Sequence, residues 1–281
     1  LQVCMEATGV YYEAVATALH DAGFMVSVAN PSCVKGFGQS ENVRNKTDTA
    51  DAALIARYCA LIKPAAWSPP PREQRQLRAW SQRLQALKDM RQQEHNRLES
   101  YTVSGMTDVA AHAQTLIEWL DKEIKRLEQT IDDHIDGHPQ LKRDAELMTS
   151  ITGIGTTTAA RLLGQFGDIR RFTSAKAFAA FLGVTPMQRS SGTSLKGRTI
   201  ISRSGSTSMR AALYMPGLVA KRHNPLLNTF AERLTKNGMS NKAVISAVVH
   251  KLTHLIYGVI RTGKPFDPKY LSKKLAIQDG I

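Results

Sequence analysis

Short apolar runs alternate with amphipathic helices over the first sixty residues. Residues 1–5 form an apolar run that ends at Glu6, and a turn at residues 7–9 leads into a predicted helix over residues 11–22. We predict a second strand over residues 24–28, then a glycine-containing loop through residue 45 and a helix over about 49–62. Strands joined by helical crossovers predict a parallel α/β layer.

Four prolines, Pro64, Pro69, Pro70 and Pro71, then interrupt the pattern and predict a domain boundary. Two helices with heptad spacing follow, joined near residue 105. Their apolar positions are Leu77, Trp80, Leu84, Leu87, Leu98 and Tyr101 in the first, and Ile117, Leu120, Ile124, Leu127 and Ile131 in the second. This spacing is typical of an antiparallel coiled-coil hairpin that could pair with a second copy, and the alternative is a helical pair packed on its own domain.

The remaining chain, from residue 141 onward, has a helical pattern interrupted by a polar Ser/Gly/Arg stretch over residues 189–208. We predict closing helices over residues 211–221, 226–234 and 243–260. The domain boundaries are therefore expected at residues 1–66, 67–138 and 139–281.

Charge is divided unevenly between the two halves of the chain. The net charge is +13, but residues 1–140 carry 15 Lys and Arg against 18 Asp and Glu, whereas residues 141–281 carry 22 against 6. Such an excess of cations attracts phosphate backbones, so nucleic acid is the expected partner. We expect no membrane partner, because we expect no apolar run of the length that spans a bilayer.

The cysteines and histidines give no functional site in the sequence. Cys4, Cys33 and Cys59 lack the spacing of a zinc site or a disulfide framework, which indicates a reducing cytoplasm. His250 and His254 are spaced to share a helix face, but without a third ligand nearby we interpret them as a surface or core pair rather than a zinc site.

Three acids occupy positions at the ends of elements in the first segment. Glu6 follows a strand, and Asp48 and Asp51 open a helix at a spacing that puts both on one face. Carboxylates from separate elements are what a magnesium site for phosphoryl transfer requires. The alternative is that Asp48 caps the helix and Asp51 interacts with its dipole.

Two segments of the basic half have features of phosphate binding. The turn at residues 151–156 resembles a helix-hairpin-helix turn, in which Gly153 and Gly155 would let backbone amides approach a phosphate, although a tight turn without a ligand has the same pattern. The following polar stretch combines hydroxyls with cations that could bind a phosphate under attack: Arg189, Lys196, Arg198, Arg203 and Arg210.

Several motifs in one order give the whole chain a family resemblance. They are residues 5–9, 45–52, 64–67, 154–155, 181–186, 191–192 and 208–215. Together they resemble the DEDD transposases of insertion-sequence family 110, which are RNA-guided serine recombinases. The resemblance implies a RuvC-like domain of ribonuclease-H fold, a coiled-coil insertion and a mainly α C-terminal transposase domain.

The resemblance also implies roles for individual residues. Glu6, Asp48 and Asp51 correspond to the second, third and fourth acids of a quartet that binds Mg²⁺. The nucleophile corresponds to Ser191, with Ser190 as the alternative if the register differs by one. The first acid of the quartet lies on an upstream strand in the family, so we expect this α/β domain to be N-terminally incomplete, either as a fragment or as a decayed copy.

Family members act as dimers that join into a tetramer around a structured guide RNA, which pairs with target and donor DNA. Composite sites are then expected, with acids from one copy meeting the serine of another. Three hypotheses follow: a recombinase with a phosphoserine intermediate, a metal-dependent nuclease in which Ser191 only binds phosphate, and an inactive nucleic-acid-binding remnant.

Overall fold

The computed structural model describes residues 1–9, 11–43, 47–187, 190–191, 195–196, 200–202 and 205–269 of the chain. The described residues are mostly helical, with small sheets. They divide into two units, Leu1–Pro71 and Arg72–Ile281, which we name the α/β unit and the helical unit. The division falls at the end of the proline-rich segment.

The α/β unit consists of two strands and three helices in the order strand, helix, strand, helix, helix. These are β1 Gln2–Glu6, α1 Tyr11–Asp21, β2 Met25–Ala29, α2 Pro31–Ser40 and α3 Asp48–Ile62. The strands β1 and β2 pair in parallel, from Gln2 opposite Met25 to Glu6 opposite Ala29. The predicted parallel α/β arrangement is therefore present as a two-stranded sheet among the described residues.

Helix α2 corrects the prediction of a loop between β2 and α3. Asn30 caps the helix, since its side-chain oxygen accepts a hydrogen bond from the backbone N–H of Ser32 at 2.9 Å, and Pro31 stands in the first turn, where proline is favoured. Gly38 lies where a Cβ atom would come within 2.9 Å of the Leu54 side chain, so α2 and α3 approach closely there. The two glycines that favoured a loop thus belong to a packed helix.

A small apolar cluster holds the α/β unit together. Its buried members are Ala29, Val34, Leu54 and Tyr58. The segment after α3 is fixed to the same unit, because the Trp67 N–H donates to the Val26 carbonyl at 2.7 Å and the Ser27 hydroxyl donates to the Pro64 carbonyl at 3.1 Å. The motif at residues 64–67 therefore completes the fold of this unit.

The helical unit contains eight α-helices, one short 3₁₀ helix and four two-residue strands among its described residues. The helices are α4 Arg72–Val103, α5 Thr107–Asp136, α6 Pro139–Thr149, α7 Thr156–Phe166, the 3₁₀ helix Ile169–Arg171, α8 Ala175–Leu182, α9 Thr207–His223, α10 Pro225–Lys236 and α11 Asn241–Thr262. The strands β3 Pro186–Met187, β4 Ser190–Ser191, β5 Leu195–Lys196 and β6 Ile200–Ile201 precede α9.

Helices α4 and α5 form an antiparallel hairpin along the predicted heptad positions. The buried side chains that join them are Leu77, Leu84, Leu87, Ile117, Leu120, Ile124, Leu127 and Ile131. Near its base the hairpin continues into the core of the C-terminal helices, since Leu77 and Phe166 belong to one apolar cluster with residues of α11. The pair therefore packs within its own unit.

Helix α11 runs through the C-terminal core, with nine of its residues buried, including Val244, Leu252 and Ile256. Among the described residues, α11 is the one helix that is long enough and apolar enough to cross a membrane. Half of its apolar stretch is buried in the protein. The expectation that no apolar run has spanning length was therefore wrong. Core packing explains the composition, because a central helix needs apolar residues on most of its faces.

The described residues of the polar stretch after α8 include two short antiparallel ladders. Strand β3 pairs with β6, and β4 pairs with β5 inside it in sequence. Gly205, at φ +97°, anchors the end of this segment, because a Cβ atom there would lie within 2.8 Å of the Phe181 carbonyl and the Gly183 backbone. We call residues 186–201 the serine ribbon.

Candidate functional site

Two of the three predicted acids converge on one cavity of the α/β unit. Glu6 ends β1 and Asp51 lies in the first turn of α3, and both line a cavity of about 440 Å³ together with Lys35 and Gln39 of α2. Asp48 is in the same first turn of α3 but does not line this cavity. The structure thus brings Glu6 and Asp51 together and leaves Asp48 outside the cavity.

Local folding explains how these carboxylates are presented. The Thr47 hydroxyl caps α3 by accepting a hydrogen bond from the Ala50 N–H at 3.2 Å, so Asp48 is not the cap. The Glu6 carboxylate accepts a hydrogen bond from the Thr8 hydroxyl at 3.2 Å. Glu6 and Asp51 are therefore positioned by the end of β1 and the first turn of α3, and neither of them caps the helix.

The donor chemistry of this cavity fits magnesium. Mg²⁺ in proteins is usually bound by one or two carboxylates and by substrate phosphate oxygens, and it retains several waters. Glu6 and Asp51 supply two such carboxylates at one cavity. Within the described ranges, no three residues of the types His, Cys, Asp and Glu come together as a metal-holding group.

The predicted helix-hairpin-helix turn lies between α6 and α7, and its two glycines have different surroundings. Gly153, at φ +111°, faces α9, because a Cβ atom there would lie 2.7 Å from the Ala220 Cβ. Gly155 is exposed, and a Cβ atom built there would meet no atom within 4 Å. No side chain caps the start of α7 at this position. Gly153 is thus a packing residue, whereas Gly155 leaves an open helix N-terminus.

Asn224 fixes this turn against the rest of the helical unit. It is fully buried and donates a hydrogen bond from Nδ2 to the Thr152 carbonyl at 3.3 Å, while its Oδ1 accepts from the Leu227 N–H at the start of α10. One side chain therefore caps a helix and holds the glycine turn.

The candidate nucleophile occupies the inner ladder of the serine ribbon. Ser191 in β4 is opposite Leu195 in β5, and Ser190 is opposite Lys196. For these four positions the structure describes the backbone pairing. The predicted phosphate-binding residues Arg189, Arg198 and Arg203 lie outside the described residues.

Arg210 is described and serves the start of α9. Its guanidinium donates to the Gly205 carbonyl at 3.3 Å and to the Thr207 hydroxyl at 2.8 Å. The Ser206 hydroxyl caps the same helix by accepting from the Met209 N–H. Arg210 therefore stabilises the junction between the ribbon and α9.

Arg161, which was not among the predicted site residues, connects three helices. Its Nη1 donates to Gln85 Oε1 of α4 at 2.7 Å and its Nη2 donates to the Ser208 hydroxyl of α9 at 2.7 Å. Burial lowers the pKa of this guanidinium, against an opposing effect of Asp89. The sequence holds no signal for this role, because the partners of Arg161 lie on α4 and α9.

Two other groups of titratable residues have shifted pKa values. Burial, with a further contribution from Cys59, raises the pKa of the Cys4 thiol to about 11, so that this thiol is protonated near neutral pH. The rings of His250 and His254 on α11 have centroids 4.6 Å apart and planes tilted by 51°, and burial lowers the pKa of both.

Comparison with known proteins adds family information to this geometry. Residues 145–232 match the transposase IS116/IS110/IS902 family, and residues 1–106 match a DEDD transposase family of the IS110 group. The pilin gene-inverting proteins of Moraxella bovis and Moraxella lacunata are each 33% identical over 273 residues, covering 96% of this chain and 83% of theirs. The transposase for insertion sequence element IS1328 of Yersinia enterocolitica is 28% identical over 181 residues, covering 62% of this chain and 50% of its own.

Proposed function

Since the chain belongs to the IS116/IS110/IS902 family of transposases, which rearrange DNA, we propose that it cuts and rejoins DNA through a serine nucleophile and a carboxylate-held Mg²⁺. The observation that carries the proposal is the convergence of Glu6 and Asp51 on one cavity. The pilin gene-inverting relatives favour strand exchange over simple cutting as the outcome.

In this proposal Glu6 and Asp51 hold the metal ion, with Asp48 of the same helical turn as a further carboxylate. When bound, Mg²⁺ would neutralise charge that develops on the phosphate oxygens. The α/β unit would belong to a RuvC-like domain of ribonuclease-H fold, in accord with its parallel strands and crossover helix.

Ser191 of the serine ribbon is the proposed nucleophile, with Ser190 as the alternative. Its Oγ attacks phosphorus, a Ser–O–P bond forms, and a P–O bond of the DNA backbone breaks to leave a sugar hydroxyl. A sugar hydroxyl of another strand then attacks the phosphoserine and restores the serine, so that no bond is lost to water. Arg189, Lys196, Arg198 and Arg203 would hold the attacked phosphate.

The helical unit would hold nucleic acid through backbone contacts. Gly155, exposed at an uncapped helix start, suits the approach of a phosphate to backbone amides. We propose a structured guide RNA as the partner that selects target and donor DNA, because phosphate contacts fix position while base pairing reads sequence.

We propose an assembly of dimers into a tetramer, with acids of one copy meeting Ser191 of another. Exposed apolar side chains on the α4–α5 hairpin favour pairing between copies, since Trp119 is 51% exposed and Leu116 is 38% exposed. The proposed domains remain residues 1–66, 67–138 and 139–281, acting in the cytoplasm on the bacterial nucleoid.

The test is the detection of protein-linked DNA on denaturing gels, with Mg²⁺ and guide RNA present. We expect a covalent adduct for the unaltered protein and for Ser190→Ala, and none for Ser191→Ala. Free cleaved ends without an adduct would favour the metal-dependent nuclease. Binding without any cutting under these conditions would leave only an inactive nucleic-acid-binding remnant.

A further inference from the structure

Helices α4 and α7 meet closely at one point and enclose a polar groove beside it. The close point is Gly164, where a Cβ atom would lie 2.8 Å from the Arg78 backbone nitrogen. From there α7 presents Thr157, Arg161 and Gln165, which are four residues apart and so share a face. Polar side chains of α4 line the other wall: Arg78, Ser81, Gln82, Gln85, Lys88 and Asp89.

The groove is a cavity of about 230 Å³ that extends to Ser208 and Met209 at the start of α9. A smaller cavity of about 20 Å³ shares Ser81, Gln85 and Arg161 with it and reaches Thr157 in the first turn of α7. The groove therefore leads from the helix-hairpin-helix turn to the helix that follows the serine ribbon.

Ser81 is the feature that packing does not explain. Its side chain is only 9% exposed, it lines both cavities, and its Oγ has no hydrogen-bond partner in the structure. Buried hydroxyls in native proteins almost always have a partner, because leaving one unpaired destabilises the fold. A buried, unpaired hydroxyl on a residue that lines a cavity supports the inference that the cavity receives a hydrogen-bonding ligand.

Charge in the groove favours an anion. Two guanidinium groups, those of Arg78 and Arg161, and one carboxylate, that of Asp89, line the groove. The Gln85 amide donates to that carboxylate at 2.7 Å, and its oxygen accepts from Arg161, so Gln85 separates the two charges. Guanidinium, amide and hydroxyl donors around one cavity are the groups that bind a phosphate.

We propose that the α4–α7 groove binds a phosphate of the nucleic-acid backbone and guides the strand from the glycine turn toward the serine ribbon. The inference rests on the proposed function only in taking nucleic acid as the source of the phosphate. That source is DNA or guide RNA, which share this chemistry and are separated by the experiment.

The experiment measures fluorescence anisotropy of labelled single-stranded DNA, RNA of the same sequence and duplex DNA with full-length variants, over a range of salt concentration. Arg161→Gln should weaken binding about tenfold. The slope of log affinity against log salt concentration should become shallower by the value of one phosphate contact, which is ~0.7 for a single strand or ~0.9 for duplex. Ser81→Ala should weaken binding about threefold while thermal stability stays equal or rises, since it removes an unpaired buried hydroxyl.

Arg126→Gln is the matched control, because this arginine of α5 has a 79% exposed side chain and the same charge is removed. It should leave affinity nearly unchanged. A loss confined to the RNA probe assigns the groove to guide RNA, and a loss confined to DNA assigns it to the substrate.

Equal affinity of Ser81→Ala, Arg161→Gln and the unaltered protein would overturn the groove proposal, and it would leave the serine chemistry untouched. Loss of affinity in Arg161→Gln alone, with a lowered melting temperature and normal binding by Ser81→Ala, would also overturn it, because Arg161 would then be a structural connector. Failure of the unaltered protein to bind any probe would instead count against the proposed function.

Discussion

The two units place their polar groups in different ways. In the α/β unit, Glu6 and Asp51 stand at the ends of short elements around a cavity, and four of the described residues form the buried apolar cluster that supports them. In the helical unit, polar groups such as Arg161 and Ser81 lie along the faces of long helices, against one large apolar core.

This difference indicates a division of labour. The part of the helical unit from residue 141 to 281 carries 22 Lys and Arg against 6 Asp and Glu, which suits a surface that binds phosphates. The acids of the α/β unit suit a metal ion that acts on one phosphate. Variants of the α/β unit should therefore change the chemistry more than binding, and variants of the helical unit should change stability and binding.

The largest effect is expected for carboxylates of the α/β unit. Asp51→Asn should reduce Mg²⁺-dependent strand cutting by roughly 1000-fold, because a metal ligand contributes several kcal/mol to charge stabilisation. Asp48→Asn, outside the cavity, should have a smaller effect. Cutting rates at saturating Mg²⁺, with affinity for DNA measured in parallel, check this order, and a greater loss for Asp48→Asn would reverse it.

The second largest effect is expected when a buried ion pair in the core of the helical unit is removed. Asp144 is 5% exposed and accepts two hydrogen bonds from Arg170, at 2.7 and 2.8 Å. Asp144→Ala should lower the free energy of unfolding by about 3 kcal/mol, because it removes both of these hydrogen bonds and leaves the partly buried guanidinium with the longer contact to Asp168, at 3.3 Å.

The control for this pair is Asp136→Ala, which removes the exposed pair with Lys142 and should cost less than about 1 kcal/mol. Urea unfolding followed by circular dichroism gives both values. Equal losses for the two variants would show that the buried pair has no special weight.

The two glycines of the α6–α7 turn should separate packing from binding. Gly153→Ala should destabilise the helical unit by about 1–3 kcal/mol, because its Cβ would meet Ala220 at a positive φ. Gly155→Ala has open space and should change stability little, yet weaken nucleic-acid binding about fivefold by blocking approach to the backbone amides. Thermal unfolding and anisotropy distinguish them; unchanged binding by Gly155→Ala would leave the turn a structural element.

The smallest effect concerns pH. Burial lowers the pKa of His254 in the folded protein from its ordinary 6.5, so the unfolded chain binds the proton more readily. Stability should therefore fall as the pH drops below about 6.5. His254→Leu should reduce this slope, changing the melting temperature by less than about 2 °C. His112→Leu, an exposed histidine of α5, serves as control and should keep the slope.

Strong periodicity made much of the helical unit predictable. The heptad positions of α4 and α5, such as Leu84 and Ile124, are buried where the spacing places them. Helix α2 was not predicted, because Gly36 and Gly38 are typical of a loop. Asn30 and Pro31 are the helix-start signal that was overlooked. Local turn signals were outweighed there by the contact of Gly38 with Leu54.

The site was predictable in part. Glu6 and Asp51 could be identified because both stand where elements end, but the cavity that excludes Asp48 depends on how α2 packs against α3. Arg161 and Ser81 could not be identified, because their groove arises from the crossing of α4 and α7 at Gly164, some eighty residues apart in sequence. Spacing within one helix carries no information about such a crossing.

The division of labour is tested most directly by mapping the DNA-linked peptide by mass spectrometry in the unaltered protein and in Asp51→Asn, with Mg²⁺ and guide RNA present. We expect the DNA to be joined to Ser191 in the unaltered protein, and no linked peptide in Asp51→Asn although it still binds DNA. A linkage at another residue, or an undiminished linkage in Asp51→Asn, would contradict the account.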